Sequence, residues 1–192
     1  MISVFGSKVG AEELAEVRST LEAQWMGIGP KTAAFEASFA KRLGLPDLAL
    51  VDSGSNSLYL AVKLLGLPAG AEVILPSLTW ISCAHAVLLA GCIPVFCDVD
   101  LDTQNVSVRT IEPCLTRRTG AIMVVHYAGK PVDMDGVLGL GHPVIEDAAH
   151  AVDSRLDGTS KLFVPAGAIQ RSACAWSIIV VIMRSKLRKT PS

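Results

Sequence analysis

Apolar and polar positions follow two rhythms along this chain. From Ala11 to Gln24 the apolar residues Leu14, Val17 and Leu21 recur every three or four positions among acidic and polar neighbours. That spacing predicts an amphipathic helix. The turn from Gly27 to Pro30 ends it, and a second helix is expected from Thr32 to Leu43. The rhythm then changes to short apolar runs separated by helical stretches. Strands are expected over Leu48–Val51, Glu72–Leu75, Ile93–Phe96, Ala121–Val125 and Val144–Glu146. Helices are expected over Ser57–Leu65, Ile81–Ala90, Val108–Leu115 and Met134–Leu140. Short apolar strands alternating with helices predict a doubly wound, mainly parallel α/β sheet. No repeat, low-complexity tract or interdomain linker interrupts the pattern through Gly158.

Composition narrows the class. At 192 residues, with 51% hydrophobic and 18% charged residues, the chain suits one globular domain with a sizeable core. A net charge of −1 offers no electrostatic footprint for nucleic acid. The five cysteines, at 83, 92, 97, 114 and 174, form no C-x-x-C pair, which suits reduced thiols in a cytoplasmic setting. The N-terminus has no basic segment followed by a long apolar run, so no signal peptide is expected. The longest apolar run, Ile178 to Met183, is far shorter than the ~20 residues of a membrane helix. It is β-prone and uncharged, and reads as a segment prone to aggregate.

Several segments carry candidate chemistry. In Pro143–His150 an apolar run delivers Glu146 and Asp147 and then small residues. This reads as a buried parallel strand whose carboxyl end presents an acid, where open α/β sheets place ligands. Taken locally, Asp147 reads more readily as a helix-capping acid. Ser53-Gly54-Ser55-Asn56-Ser57 follows an expected strand and opens a helix, a place where backbone N–H groups and hydroxyls hold phosphate. It is also an ordinary capped turn. Trp80 follows Pro76-Ser77-Leu78-Thr79 at a strand-to-helix junction, where an indole either stacks on a ring or fills the core. His126 and Tyr127 end a strand and are candidate pocket walls.

Read together, these blocks resemble the DegT/DnrJ/EryC1/StrS aminotransferases, fold-type-I enzymes that use pyridoxal phosphate (PLP). The blocks run in family order: Trp25–Pro30, Val51–Leu58, Glu72–Trp80, Pro94–Asp100 with Thr103 and Asn105, Val125–Tyr127 with Gly129, Pro131, Asp133 and Met134, and Glu146–His150. The resemblance implies that Ser55 and Asn56 receive the PLP phosphate, that Trp80 stacks on the pyridine ring, and that Asp147 pairs with the ring nitrogen. It implies that His150 lies beside the ring near its phenolic oxygen, and that the Gly27–Pro30 turn approaches the site. Relatives commonly have Thr-x-Ala where this chain has Ser55-Asn56-Ser57. The implied activity is amino transfer from glutamate to a nucleotide-linked keto-sugar, as in polysaccharide biosynthesis, in a homodimer whose active sites form between subunits.

The likeness is expected to stop near Lys161. Residues 1–160 then form the N-terminal part of a PLP-transferase large domain, and 161–192 a non-family tail with no domain assigned. Relatives carry an S-F-x-x-x-K block after this point, whose lysine forms the Schiff base, and then a Gly-Glu-Gly-Gly turn. Neither occurs here, and no His follows His150 to take the lysine's place as in a dehydratase branch. The expectation is therefore a truncated aminotransferase without its catalytic lysine, inactive by itself. The abrupt change suggests a shifted reading frame. Two further readings stand beside it: a lysine-free remnant that binds PLP or a nucleotide-sugar, and a partner that docks on an intact paralogue.

Overall fold

The computed structural model describes residues 9–25, 27–43, 48–151, 154 and 181–184. The tail beyond them, including Cys174, Lys186 and Lys189, lies outside the described residues.

Two helices come first, α1 (Ala11–Glu22) and α2 (Pro30–Leu43). Helix α3 (Gly54–Leu64) leads into strand β1 (Glu72–Pro76), helix α4 (Ile81–Leu89) and strand β2 (Ile93–Cys97). A short α5 (Val108–Ile111) precedes β3 (Thr119–Val125), and α6 (Met134–Gly139) precedes β4 (Val144–Asp147). The last strand is β5 (Val181–Arg184). The sheet order is β2-β1-β3-β4-β5. The first four strands are mutually parallel, and β5 pairs antiparallel with β4, Val144 opposite Arg184 and Asp147 opposite Val181. The expected mainly parallel, doubly wound sheet is therefore present.

Side chains alternate across each strand and so build two cores. Ile74, Ile122, Val124 and Val144 pack with Phe39 and Leu43 of α2, Ile111 of α5 and Val137 of α6. Val73, Leu75, Met123 and Ile145 pack on the other face with Leu58 and Val62 of α3 and Cys83 and Val87 of α4. Ile74, Leu75 and Ile122 are fully buried, and each contributes about 1.5–3 kcal/mol relative to exposure. From β1 the chain steps one way to β2 through α4, then back across β1 to β3 and on to β4 through α6. The direction reverses beside β1, and the carboxyl ends there form the crevice that open α/β sheets use for ligands.

Four local expectations change. Leu48–Val51 is not a strand: Leu50 N–H donates to Glu36 Oε1 of α2 at 2.7 Å instead of to a ladder. The helix expected over Val108–Leu115 is one α turn followed by a 3-10 turn, Glu112–Cys114. Pro113 lacks an N–H, so it cannot donate back to Arg109 O and continue the α ladder. Residues Ala148–Ala151 form a turn, so Asp147 caps no helix there; its Oδ1 accepts from Ala149 N–H at 3.0 Å. Finally, the end of the run expected to be prone to aggregate has a place in the sheet: Val181–Arg184 pairs antiparallel along β4.

Helix α1 has the expected stripe but buries none of it; Leu14, Val17 and Leu21 are 61%, 56% and 53% exposed. It is tied to α2 by the Lys31–Glu16 ion pair and by Lys31 Nζ donating to Ser19 Oγ at 2.7 Å. The following turn closes on itself. Trp25 Nε1 donates to Ile28 O at 3.0 Å, and the indole lies so close to Gly29 that a Cβ there would stand 2.2 Å from Nε1. A side chain at Gly29 would require the indole to move aside.

Candidate functional site

The site grows from three strand or loop ends on the α3/α4 face of the sheet. Ser53 caps α3, its Oγ accepting from Asn56 N–H at 3.2 Å. The cap starts the helix at Gly54 and turns Ser55 outward from its first turn. Ser55 Oγ lies 2.6 Å from Ser82 Oγ in the first turn of α4. Either oxygen can be the donor, so one hydroxyl proton of the pair is left to offer a ligand. Ser57 Oγ, two residues on, is buried without a hydrogen-bond partner. Asn56 turns the other way: its Nδ2 donates to Asp52 Oδ1 at 2.7 Å.

Strand β1 ends at Pro76, and the turn Ser77–Trp80 delivers the chain to α4. Trp80 is its N-cap residue and is 73% exposed, a large apolar ring left uncovered. Thr79, the residue before this cap, lies across the helix start from Cys83, and Thr79 Oγ1 donates to Cys83 Sγ at 3.0 Å. Cys83 in turn donates to Asp147 Oδ2 at 3.6 Å. Burial, with the neighbouring Asp147 charge adding to it, pushes the Cys83 thiol up to about 12 against the opposing Thr79 bond. It therefore stays an S–H donor at neutral pH. Asp147 ends β4 and is 4% exposed.

The contacts thus link Ser55 to α4 through Ser82 and Asp147 to α4 through Cys83, with Trp80 capping the same helix. His150 goes elsewhere. Its Nδ1 accepts from Ala128 N–H at 3.4 Å, and its ring meets Tyr127 edge-on at 5.9 Å. The chain there runs so close to the turn after β3 that a Cβ on Gly129 would stand 3.1 Å from His150 O. His126 is not a pocket wall. It is fully buried on the opposite face, its Nδ1 accepting from Val132 N–H at 3.1 Å and its Nε2 lying 3.2 Å from Glu146 Oε2. Strand alternation sends the two adjacent acids to opposite faces, Glu146 to His126 and Asp147 to Cys83.

Sequence reasoning missed Thr79, Ser82 and Cys83. Their signal is present: three polar or sulfur-bearing residues at positions i, i+3 and i+4 across the start of an otherwise apolar helix.

A model of the DegT/DnrJ/EryC1/StrS aminotransferase family matches residues 7–175. The chain belongs to this family. The match runs to residue 175, so the likeness does not stop near Lys161 as expected. The aminotransferase TlmJ from Streptoalloteichus hindustanus is 41% identical over 82% of this chain and 45% of its own, with a TM-score of 0.76. DesV of S. venezuelae is 34% identical over 78% of this chain and 43% of its own, with a TM-score of 0.71. Spr1654 from Streptococcus pneumoniae, described as a candidate sugar aminotransferase and solved in its PLP form, is 25% identical over 84% of this chain and 45% of its own, at a TM-score of 0.76. The chain spans less than half the length of these three relatives. Among the described residues no helix is long and apolar enough to cross a membrane.

Proposed function

We propose that this chain is the cofactor-holding part of a PLP-dependent sugar aminotransferase, with the site carried by residues 1–160 although the family match itself continues to residue 175. The whole enzyme of this type would move an amino group from glutamate to a nucleotide-linked keto-sugar. The observation that supports the reading is Asp147, a nearly buried carboxylate beside Cys83 of α4, the helix that also meets Ser55 through Ser82 and is capped by the uncovered Trp80.

The donor set fits the cofactor. A dianionic phosphate suits the N-terminus of α3 with the Ser55 and Ser82 hydroxyls. A flat aromatic ring suits the exposed face of Trp80. A protonated ring nitrogen suits Asp147, and His150, three residues further on, would reach the ring's edge only by leaving Ala128 and Tyr127. Asn56 would contribute its place in the first turn of α3, because its side chain is held by Asp52. Bound PLP supplies an electron sink at its pyridine ring. Asp147 would hold the proton on the ring nitrogen, Trp80 would fix the plane, and the serines would hold the phosphate. The S-F-x-x-x-K block is absent from this chain, and with it the lysine that would join the cofactor and carry a proton at the substrate carbon. By this reading the chain binds the cofactor without transferring an amino group. Its four described cysteines are free, in keeping with a cytoplasmic setting.

Pyridoxamine phosphate tests the reading, because its binding needs no lysine. Saturable fluorescence change with the wild-type chain, lost in Asp147→Ala, is the expected result. Borohydride treatment with PLP should give no adduct confined to one lysine. Absence of saturable binding, or binding that Asp147→Ala leaves unchanged, overturns the proposal.

A second reading is favoured by α1, whose apolar stripe is bare. It holds that the chain docks on an intact member of the family. Co-purification with a full-length relative, lost when Leu14 and Val17 are made polar, is the expected result.

A further inference from the structure

We infer that Cys83 is a positioning residue of the cofactor site: its thiol donates to Asp147 and sets the direction in which that carboxylate faces a bound pyridine ring. The inference rests on the cofactor reading above. Cys83 is fully buried in the α3/α4 core. Its sulfur stands 3.6 Å from Asp147 Oδ2, an ordinary separation for the large sulfur atom, and receives Thr79 Oγ1 at 3.0 Å. Because Thr79 donates to the sulfur, the thiol proton is directed to the carboxylate.

Asp147 is held from both sides, Oδ1 by Ala149 N–H and Oδ2 by Cys83. Two such bonds fix the plane of a carboxylate while leaving about half of its roughly four acceptor positions for another donor. The relay Thr79–Cys83–Asp147 also joins the turn that carries Trp80 to the acid. The group that would stack on the ring and the group that would meet its nitrogen are thereby held in one register. A thiol is a weak donor, so it orients Asp147 without neutralising it. The plain alternative is that Cys83 only fills space among Leu75, Val87 and Ile145 as a small hydrophobe.

Cys83→Val keeps the bulk and removes the donor, and Cys83→Ser keeps the donor. Three measurements on the full chain separate the roles. The infrared S–H band lost in Cys83→Ser should lie below the other thiol bands and move up in Asp147→Ala. Cys83→Val should weaken pyridoxamine phosphate by roughly three- to tenfold, the loss of one ordinary hydrogen bond, and Cys83→Ser should restore affinity. The analogue with carbon in place of the ring nitrogen should bind wild type and Cys83→Val alike. An S–H band indifferent to Asp147→Ala overturns the inference, as does wild-type affinity in Cys83→Val or an equal loss for the carbon analogue. No pyridoxamine phosphate binding by the wild type overturns the cofactor reading and this role with it. Wild-type binding with Cys83→Val unchanged overturns the role alone.

Discussion

On one face of the sheet Glu146 meets His126; on the other, one residue later, Asp147 meets Cys83. Both acids are buried at the carboxyl end of β4. Their surroundings differ. His126 uses both ring nitrogens, one on Val132 N–H and one on Glu146, and is sealed from solvent. That is a closed polar set of the kind that fixes a scaffold. Among the described residues Asp147 has one backbone donor and one weak thiol donor, and through Cys83 it is tied to α4, the helix that carries Ser82 and is capped by the exposed Trp80. Acceptor capacity left over on a buried acid is what a ligand site needs. Burial alone does not separate scaffold from site; the completeness of the hydrogen bonding does.

The comparison breaks first on stability. Replacing His126 by Ala leaves the Glu146 carboxylate buried without its imidazole. Loss of one partner from such a pair typically costs about 3–5 kcal/mol, and urea unfolding should show it. Folded His126→Ala should still bind pyridoxamine phosphate. A loss below about 1 kcal/mol would mean that the pair is no scaffold.

Alkaline pH sharpens the thiol side. Burial pushes both Cys83 and Cys97 up to about 12 in the folded chain, against an ordinary 9.0. The raised folded value means that their contribution is complete below about pH 9 and is lost as pH rises towards 12. Each thiol adds a slope of up to about 1.4 kcal/mol per pH unit in that window. Urea midpoints across the range should fall accordingly, and Cys83→Ser should flatten the slope. An unchanged slope in that variant would show that Cys83 is not held as a buried thiol.

Trp80→Ala isolates the open side. With the ring 73% exposed, the melting temperature should scarcely move. Pyridoxamine phosphate affinity should fall by about 0.5–1.5 kcal/mol, the usual worth of ring stacking. A large stability loss with unchanged affinity would return Trp80 to the core. The smallest effect is expected in α1. Leu14→Ser with Val17→Ser touches residues more than half exposed, so stability should change within about ±0.5 kcal/mol per site. A larger loss that depends on protein concentration would show the stripe to be covered in an assembly.

Much of the fold was legible because strand burial writes itself as short apolar runs. Val73 to Leu75, Ala121 to Val125 and Val144 to Ile145 are buried from both sides, and no polar residue interrupts them. The family blocks named Ser55, Trp80 and Asp147, which the structure ties to the ends of α3 and α4. Leu48–Val51 looked like a strand because its composition is right, but strand formation needs a partner edge, and Leu50 found Glu36 instead. Pro113 was the visible signal that shortened α5.

By itself, then, the sequence determined the alternation of strands and helices, the parallel sense of the central sheet, the family, and the absence of a Ser-Phe-lysine block from this chain. Those follow from periodicity and from residue order, both local. Only the tertiary structure decided that Glu146 and Asp147 part company, that Asn56 turns back to Asp52, that His150 lies against Tyr127, and that Val181–Arg184 runs antiparallel along β4. Each depends on which groups distant segments bring within hydrogen-bonding reach. The Thr79–Cys83–Asp147 relay is of the same kind: its last link spans 64 positions of sequence and 3.6 Å of space.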